Sequence, residues 1–167
     1  MKKKGKIVTA VAGIFLFLTS ATLFGGGKKG PTAITGVAIP EGYRSWKVVS
    51  ASHRTDKGEI RLILANDVAY EAFQKKTLPF PDGSILAKLA YKAEKHPAWE
   101  AALVPGKPMR QEFMVKDSKR FSKTGGWGFG RFVDGKPVGD EKLYASCFPC
   151  HESGAADQDY VFTRFSP

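Results

Sequence analysis

Only two cysteines and three histidines occur among the 167 residues. Because no second Cys/His pair exists, a four-ligand zinc site cannot be completed. The 26 lysines and arginines are scattered rather than gathered into a recognised nucleic-acid-binding module, so no nucleic-acid partner is expected. No internal repeat is visible. The longest unbroken apolar or small-residue run, Ile7 to Leu18, is too short to span a bilayer comfortably by itself.

The residues that are present read as an ordinary globular chain, 43% hydrophobic and 25% charged. Formal net charge is +10, of which Lys2, Lys3, Lys4 and Lys6 supply four charges and leave +6 for the rest. Such a surplus is a solvated coat or a surface for an acidic partner. The basic start, the apolar run and the polar, small stretch Thr19-Ser20-Ala21 follow the order of a secretory signal. Residues 1–24 are therefore expected to be a signal peptide, or an N-terminal anchor if the apolar segment extends uncleaved through Phe24. Gly25 to Pro31 is rich in glycine and reads as the start of a linker, set at 25–41. The domain is expected outside the cytoplasm, in the periplasm, with a membrane contact only if the leader stays.

The two cysteines lie in Cys147-Phe148-Pro149-Cys150-His151. In an exported protein a cysteine pair first suggests a disulfide, but three-residue spacing followed directly by histidine is the signature of covalent haem attachment. Two thiols can add across the two vinyl groups of one haem, and the adjacent imidazole reaches the iron as proximal ligand. Cys147 and Cys150 are thus the expected thioether residues, His151 the expected iron ligand, and a single haem c the expected cofactor. A redox disulfide is the competing reading, although such pairs usually open a helix near the start of their domain.

Between leader and motif the pattern is mostly β. Tyr43 to Ser50 and Gly58 to Ala65 read as strands, and Asn66 caps a helix over 67–75 with Asp67 and Glu71 near its positive end. Pro79 to Gly83 is a turn leading into a strand over 84–92. Strands are expected at 111–116 and 127–133, and Asp134-Gly135 is a tight turn. The expected fold is mainly β (α+β), an antiparallel sheet with one or two helices packed on it and the haem near the C-terminus.

Several segments in this order carry a resemblance. They are Trp46 to Ser50 with Ser52-His53-Arg54, Leu64 to Asp67, Phe80 to Ser84, Ala87 to Lys92, Phe113 to Asp117, Gly125 to Arg131, the haem motif, and Asp159 to Thr163. The chain from 42 to 167 resembles the cytochrome P-460 family and its relative cytochrome c′-beta. That resemblance implies a β-sheet haem c protein, commonly a homodimer, with a five-coordinate iron whose open position binds hydroxylamine, nitric oxide or similar ligands. P-460 members oxidise hydroxylamine and carry a bond from a lysine to the macrocycle, whereas c′-beta members lack it and bind gases. Hydroxylamine oxidation, with electrons passed to another periplasmic cytochrome, is the leading expectation. A non-enzymatic gas binder and a simple electron carrier are the alternatives.

The resemblance points to Lys88 as the cross-linking residue, on the strand after the Pro-Asp-Gly turn. Ile85, Leu86 and Leu89 make that strand apolar, and a lysine there is expensive unless its amine is neutral or bonded. A lysine on an edge strand, reaching out to water, is the plainer reading. Lys92 shares its face but neighbours polar residues. An electron carrier needs a sixth ligand from Met109, Met114, His53 or His96. Met109 is expected in a loop, Met114 in the core, and both histidines in polar loops. The resemblance places an acidic distal residue shortly before the haem motif, at Glu141 or Asp140. Arg61 is a candidate pocket cation, and Phe129 and Phe132 are candidate pocket walls.

Overall fold

A computed structural model describes residues 30–166; the expected leader, 1–24, lies outside them. Six strands form one antiparallel sheet in sequence order, β1 (Lys47–Arg54), β2 (Glu59–Ala65), β3 (Ile85–His96), β4 (Trp99–Lys116), β5 (Trp127–Val133) and β6 (Lys136–Pro137). Two helices, α1 (Asp67–Lys75) and α2 (Glu141–Ala155), complete the expected mainly β fold. Among the described residues no helix is long and apolar enough to cross a membrane.

Local chemistry accounts for several boundaries. The Asn66 side chain accepts the Ala69 N–H at 3.0 Å and so caps α1. The same oxygen accepts the Ile85 N–H at 3.0 Å, and the amide donates to the Gly83 carbonyl at 2.8 Å. One side chain therefore joins the helix start to the start of β3. Asp134 and Gly135 both adopt positive φ, 49° and 72°, which suits the two-residue turn between β5 and β6.

Three expectations are corrected. Tyr43–Ser45 is a 3-10 turn rather than the head of β1, because Gly42 at φ 68° bends the chain and seats the Tyr43 ring edge-on against Phe113, centroids 5.1 Å apart. β3 and β4 extend far beyond 84–92 and 111–116 into a long hairpin arm. Prolines 105 and 108 conceal the strand in sequence, since proline cannot donate to a ladder; here they sit opposite Ala93 and Tyr91, where the register shifts and a bulge absorbs them. The stretch from Thr32 to Ile39 is not spacer. Ala33 and Val37 are buried, and the Thr35 hydroxyl donates to the Phe129 carbonyl at 2.6 Å. Gly130 permits that approach, because a Cβ there would lie 2.8 Å from Val37 Cγ1.

Strand alternation gives the sheet two differently covered faces. On one, Leu64, Ala87, Leu89, Phe113 and Phe132 pack beneath Val37 and Tyr43. On the other, Ala65, Leu86, Trp127 and Phe129 pack with α1 residues Ala69 and Ala72 and with Val161 from the C-terminal segment. α2 lies over this second face but buries only Ala155. The resulting cavity holds the candidate site.

Candidate functional site

Residues 147, 150 and 151 all fall within α2. Positions i, i+3 and i+4 share one helix face, so Cys147, Cys150 and His151 all line a cavity of about 700 Å³ between α2, the sheet and the C-terminal segment. That volume lies in the range of small-molecule and cofactor sites. Neither cysteine is in a disulfide. Burial pushes the Cys147 thiol up.

His151 is held in one orientation. Its Nδ1 lies 2.7 Å from the Tyr160 carbonyl, which can only accept, so the Nδ1 proton is donated there and Nε2 keeps its lone pair. Phe129 and Phe162 flank the ring edge-to-face, at 5.1 and 5.0 Å between centroids. Burial lowers its proton affinity, which favours the neutral imidazole that binds metals. A ring nitrogen fixed by a backbone carbonyl while the other is free is the usual support of a metal-ligating histidine.

The sheet forms the opposite wall. Ser50, Ile63, Lys88, Glu112 and Arg131 pair in one row across five strands, β1 to β5, and all five line the cavity. Lys88 Nζ contacts Glu112 at 2.5 Å. Arg131 Nε donates to Glu112 at 2.8 Å, and Arg110 approaches it at 3.3 Å. Arg110 and Arg61 in turn grip Glu59, at 2.8 and 2.9 Å and at 3.0 and 2.8 Å. Hydrogen bonding from Arg110, then from Arg61, holds Glu59 at about 2 despite its burial. For Glu112, burial alone would raise the pKa, but Lys88, Arg131 and Arg110 together keep it below the usual value. Lys88 is displaced downward, because its burial outweighs the help from Glu112.

The expected site residues are only partly brought together. Lys88 lies on a central strand facing the cavity, not on an edge reaching water, while Lys92 is exposed. Arg61 lines the cavity. Asp140 and Glu141 do not: Asp140 caps α2 by accepting the Leu143 N–H at 2.9 Å, and Glu141 stands exposed in the first helical turn. Both are used at the helix's positive end. Phe129 is a wall, but Phe132 has the opposite strand parity and is fully buried on the other face. Met114 lines the cavity, whereas Met109 sits exposed in β4. His53 is exposed on β1, and His96 ends β3 and accepts the Ala98 N–H; neither lines the cavity.

Glu112 is the residue that sequence reasoning missed. The available signal was the alternating charge in Glu59-x-Arg61 and Arg110-x-Glu112, where i and i+2 share a strand face.

The donor set fits a haem. Two unpaired thiols and a pre-oriented imidazole face one cavity. Its ionisable walls carry Arg54, Arg61, Lys88, Arg131 and Arg164 against the single carboxylate Glu112, a surplus suited to a cofactor bearing two carboxylates.

A family model for cytochrome P460 matches residues 40–163. No curated protein matches the chain closely enough to count as a relative.

Proposed function

The chain belongs to the cytochrome P460 family, and on that premise we propose that it is a periplasmic mono-haem c cytochrome that oxidises hydroxylamine, or otherwise processes nitric oxide. Cys147 and Cys150 would form the thioethers and His151 Nε2 would ligate the iron. The haem that they would hold would supply one-electron oxidation of a small nitrogen ligand.

The observation that carries the reading is the Lys88–Glu112 pair inside the cavity that also contains His151. Oxidising hydroxylamine releases protons with the electrons, so the pocket needs groups that hold and move them. Glu112, kept ionised by its three cations, is a hydrogen-bond acceptor for an N–H or O–H group. Lys88 has a lowered proton affinity and so a larger neutral fraction. A covalent bond to the macrocycle would draw on that neutral fraction, with one N–H and one ring C–H hydrogen leaving as protons and two electrons passing to an external oxidant. Arg61 is a further cation of the cavity wall. Ile63, Leu86, Met114 and Phe129 are among the apolar residues of the wall. That apolar wall favours the second reading, a gas-binding cytochrome of the c′-beta kind.

Mass spectrometry of tryptic haem peptides tests the proposal. The expected product joins haem to Cys147, Cys150 and Lys88. Haem on the cysteines alone would leave the gas-binding reading, and wild-type protein whose haem is released intact by acidified organic solvent, with no haem peptide at Cys147 or Cys150, would overturn the attachment itself. A reduced optical spectrum with low-spin bands would exclude the open face and point to Met114 as ligand. A homodimer and a periplasmic electron acceptor belong to the same proposal, checked by sedimentation equilibrium and by cytochrome reduction assays.

A further inference from the structure

One buried ion pair takes no part in the cavity network. Lys116 Nζ, at the end of β4, donates to both carboxylate oxygens of Asp159 at 2.8 Å and to the Gly125 carbonyl at 3.0 Å. The two side chains are only 5% and 8% exposed. A buried pair is weak evidence of stability, because desolvation cancels much of the attraction. Its other effect is geometric.

Asp159 is fixed at two further points. Its carboxylate accepts the Phe80 N–H at 2.9 Å, and its backbone carbonyl accepts the Trp127 Nε1–H at 2.8 Å. Held in this way, Asp159 and Tyr160 both adopt left-handed backbone, φ 50° and 66°. Aspartate tolerates that region, but a bulky tyrosine there is an outlier, and such a residue persists only where its surroundings impose it. The consequence is a reversal of the chain that turns the Tyr160 carbonyl back onto His151 Nδ1. The Tyr160 ring meanwhile packs on Phe148, inside the haem motif, at 5.0 Å between centroids. It lies so close to Gly125 that a Cβ there would come within 2.2 Å of it.

We propose that the Lys116–Asp159 pair is a positioning device for the proximal histidine. It locks residues 159 and 160 left-handed, so that the Tyr160 carbonyl holds the Nδ1 proton and aims Nε2 into the cavity. A carbonyl on Nδ1–H also makes the imidazole a stronger donor, which favours oxidised iron. The inference rests on His151 as the iron ligand and goes beyond it, to residues that touch neither haem nor substrate.

Resonance Raman spectra of the reduced holoprotein, together with its midpoint potential, test the device. Asp159→Asn removes the charge. Lys116→Met/Asp159→Leu removes both partners and leaves no unpaired buried charge, so it is the variant expected to fold. In both, the iron–histidine stretching band moves to lower frequency and broadens, and the potential rises. Folded, haem-loaded variants with the wild-type band and potential would overturn the positioning role. Loss of native circular dichroism in both would overturn it too, assigning the pair to stability alone. A wild type without the band would fail the histidine-ligation reading itself, whereas variants that match a wild-type band fail the device alone.

Discussion

Glu112 and Glu141 are both glutamates near the haem motif in space or in sequence, yet only one can act in the pocket. Glu112 is encircled by Lys88, Arg110 and Arg131 and lines the cavity, whereas Glu141 serves the helix start. Glu112→Gln should therefore lower hydroxylamine turnover by roughly 10²-fold or more, the scale of positioned proton handling, while Glu141→Gln stays within about twofold of wild type. Steady-state rates of the two variants check this. Glu59 gives a separate test by pH. Its pKa is about 2 in the fold against 4.5 ordinarily, so its contribution is fully present above about pH 4.5 and is lost as pH falls toward 2. The shift corresponds to ~3 kcal/mol. In urea titrations, Glu59→Gln should be less stable than wild type at pH 7, with the difference shrinking steadily between pH 4.5 and 2. A difference that stays constant across that window would refute the assignment.

At the scale of elements, Asn66 shows how one side chain can set two boundaries. Loss of a helix cap alone costs about 1 kcal/mol, but Asn66 also satisfies the Ile85 N–H and the Gly83 carbonyl. Asn66→Ala should accordingly destabilise by about 2–3 kcal/mol, measured by chemical denaturation; a loss under 1 kcal/mol would show that only the cap matters. This element was legible from sequence because its cap, helix and turn are local signals. The β3–β4 arm was not, since Pro105 and Pro108 are compatible with a strand only where the partner's register shifts, and register depends on residues elsewhere in the chain. The same limit hid Glu112: its partners Lys88 and Arg131 lie 24 and 19 residues away in sequence and meet it only through strand pairing.

For the whole molecule, α2 is the weakly held element. It buries only Ala155, while β3, β4 and β5 carry the core on both faces. A Cys147→Ala/Cys150→Ala protein without attached haem should keep a protected central sheet and exchange α2 amides much faster than the holoprotein. Hydrogen-exchange mass spectrometry checks this, and equal α2 protection in both forms would show that the helix docks without the cofactor.

The sequence by itself determined what depends on near neighbours. It placed the Cys147–His151 pentapeptide, the capped helix, the Asp134-Gly135 turn and the β-rich order that resembles the cytochrome P-460 family, because spacing and local propensity encode them directly. Tertiary structure alone decided which charges face the cavity, that Asp140 and Glu141 do not, and that Tyr160 is bent back onto His151. Those outcomes rest on strand register and on contacts between distant residues, where a shift of one position sends a side chain to the other face.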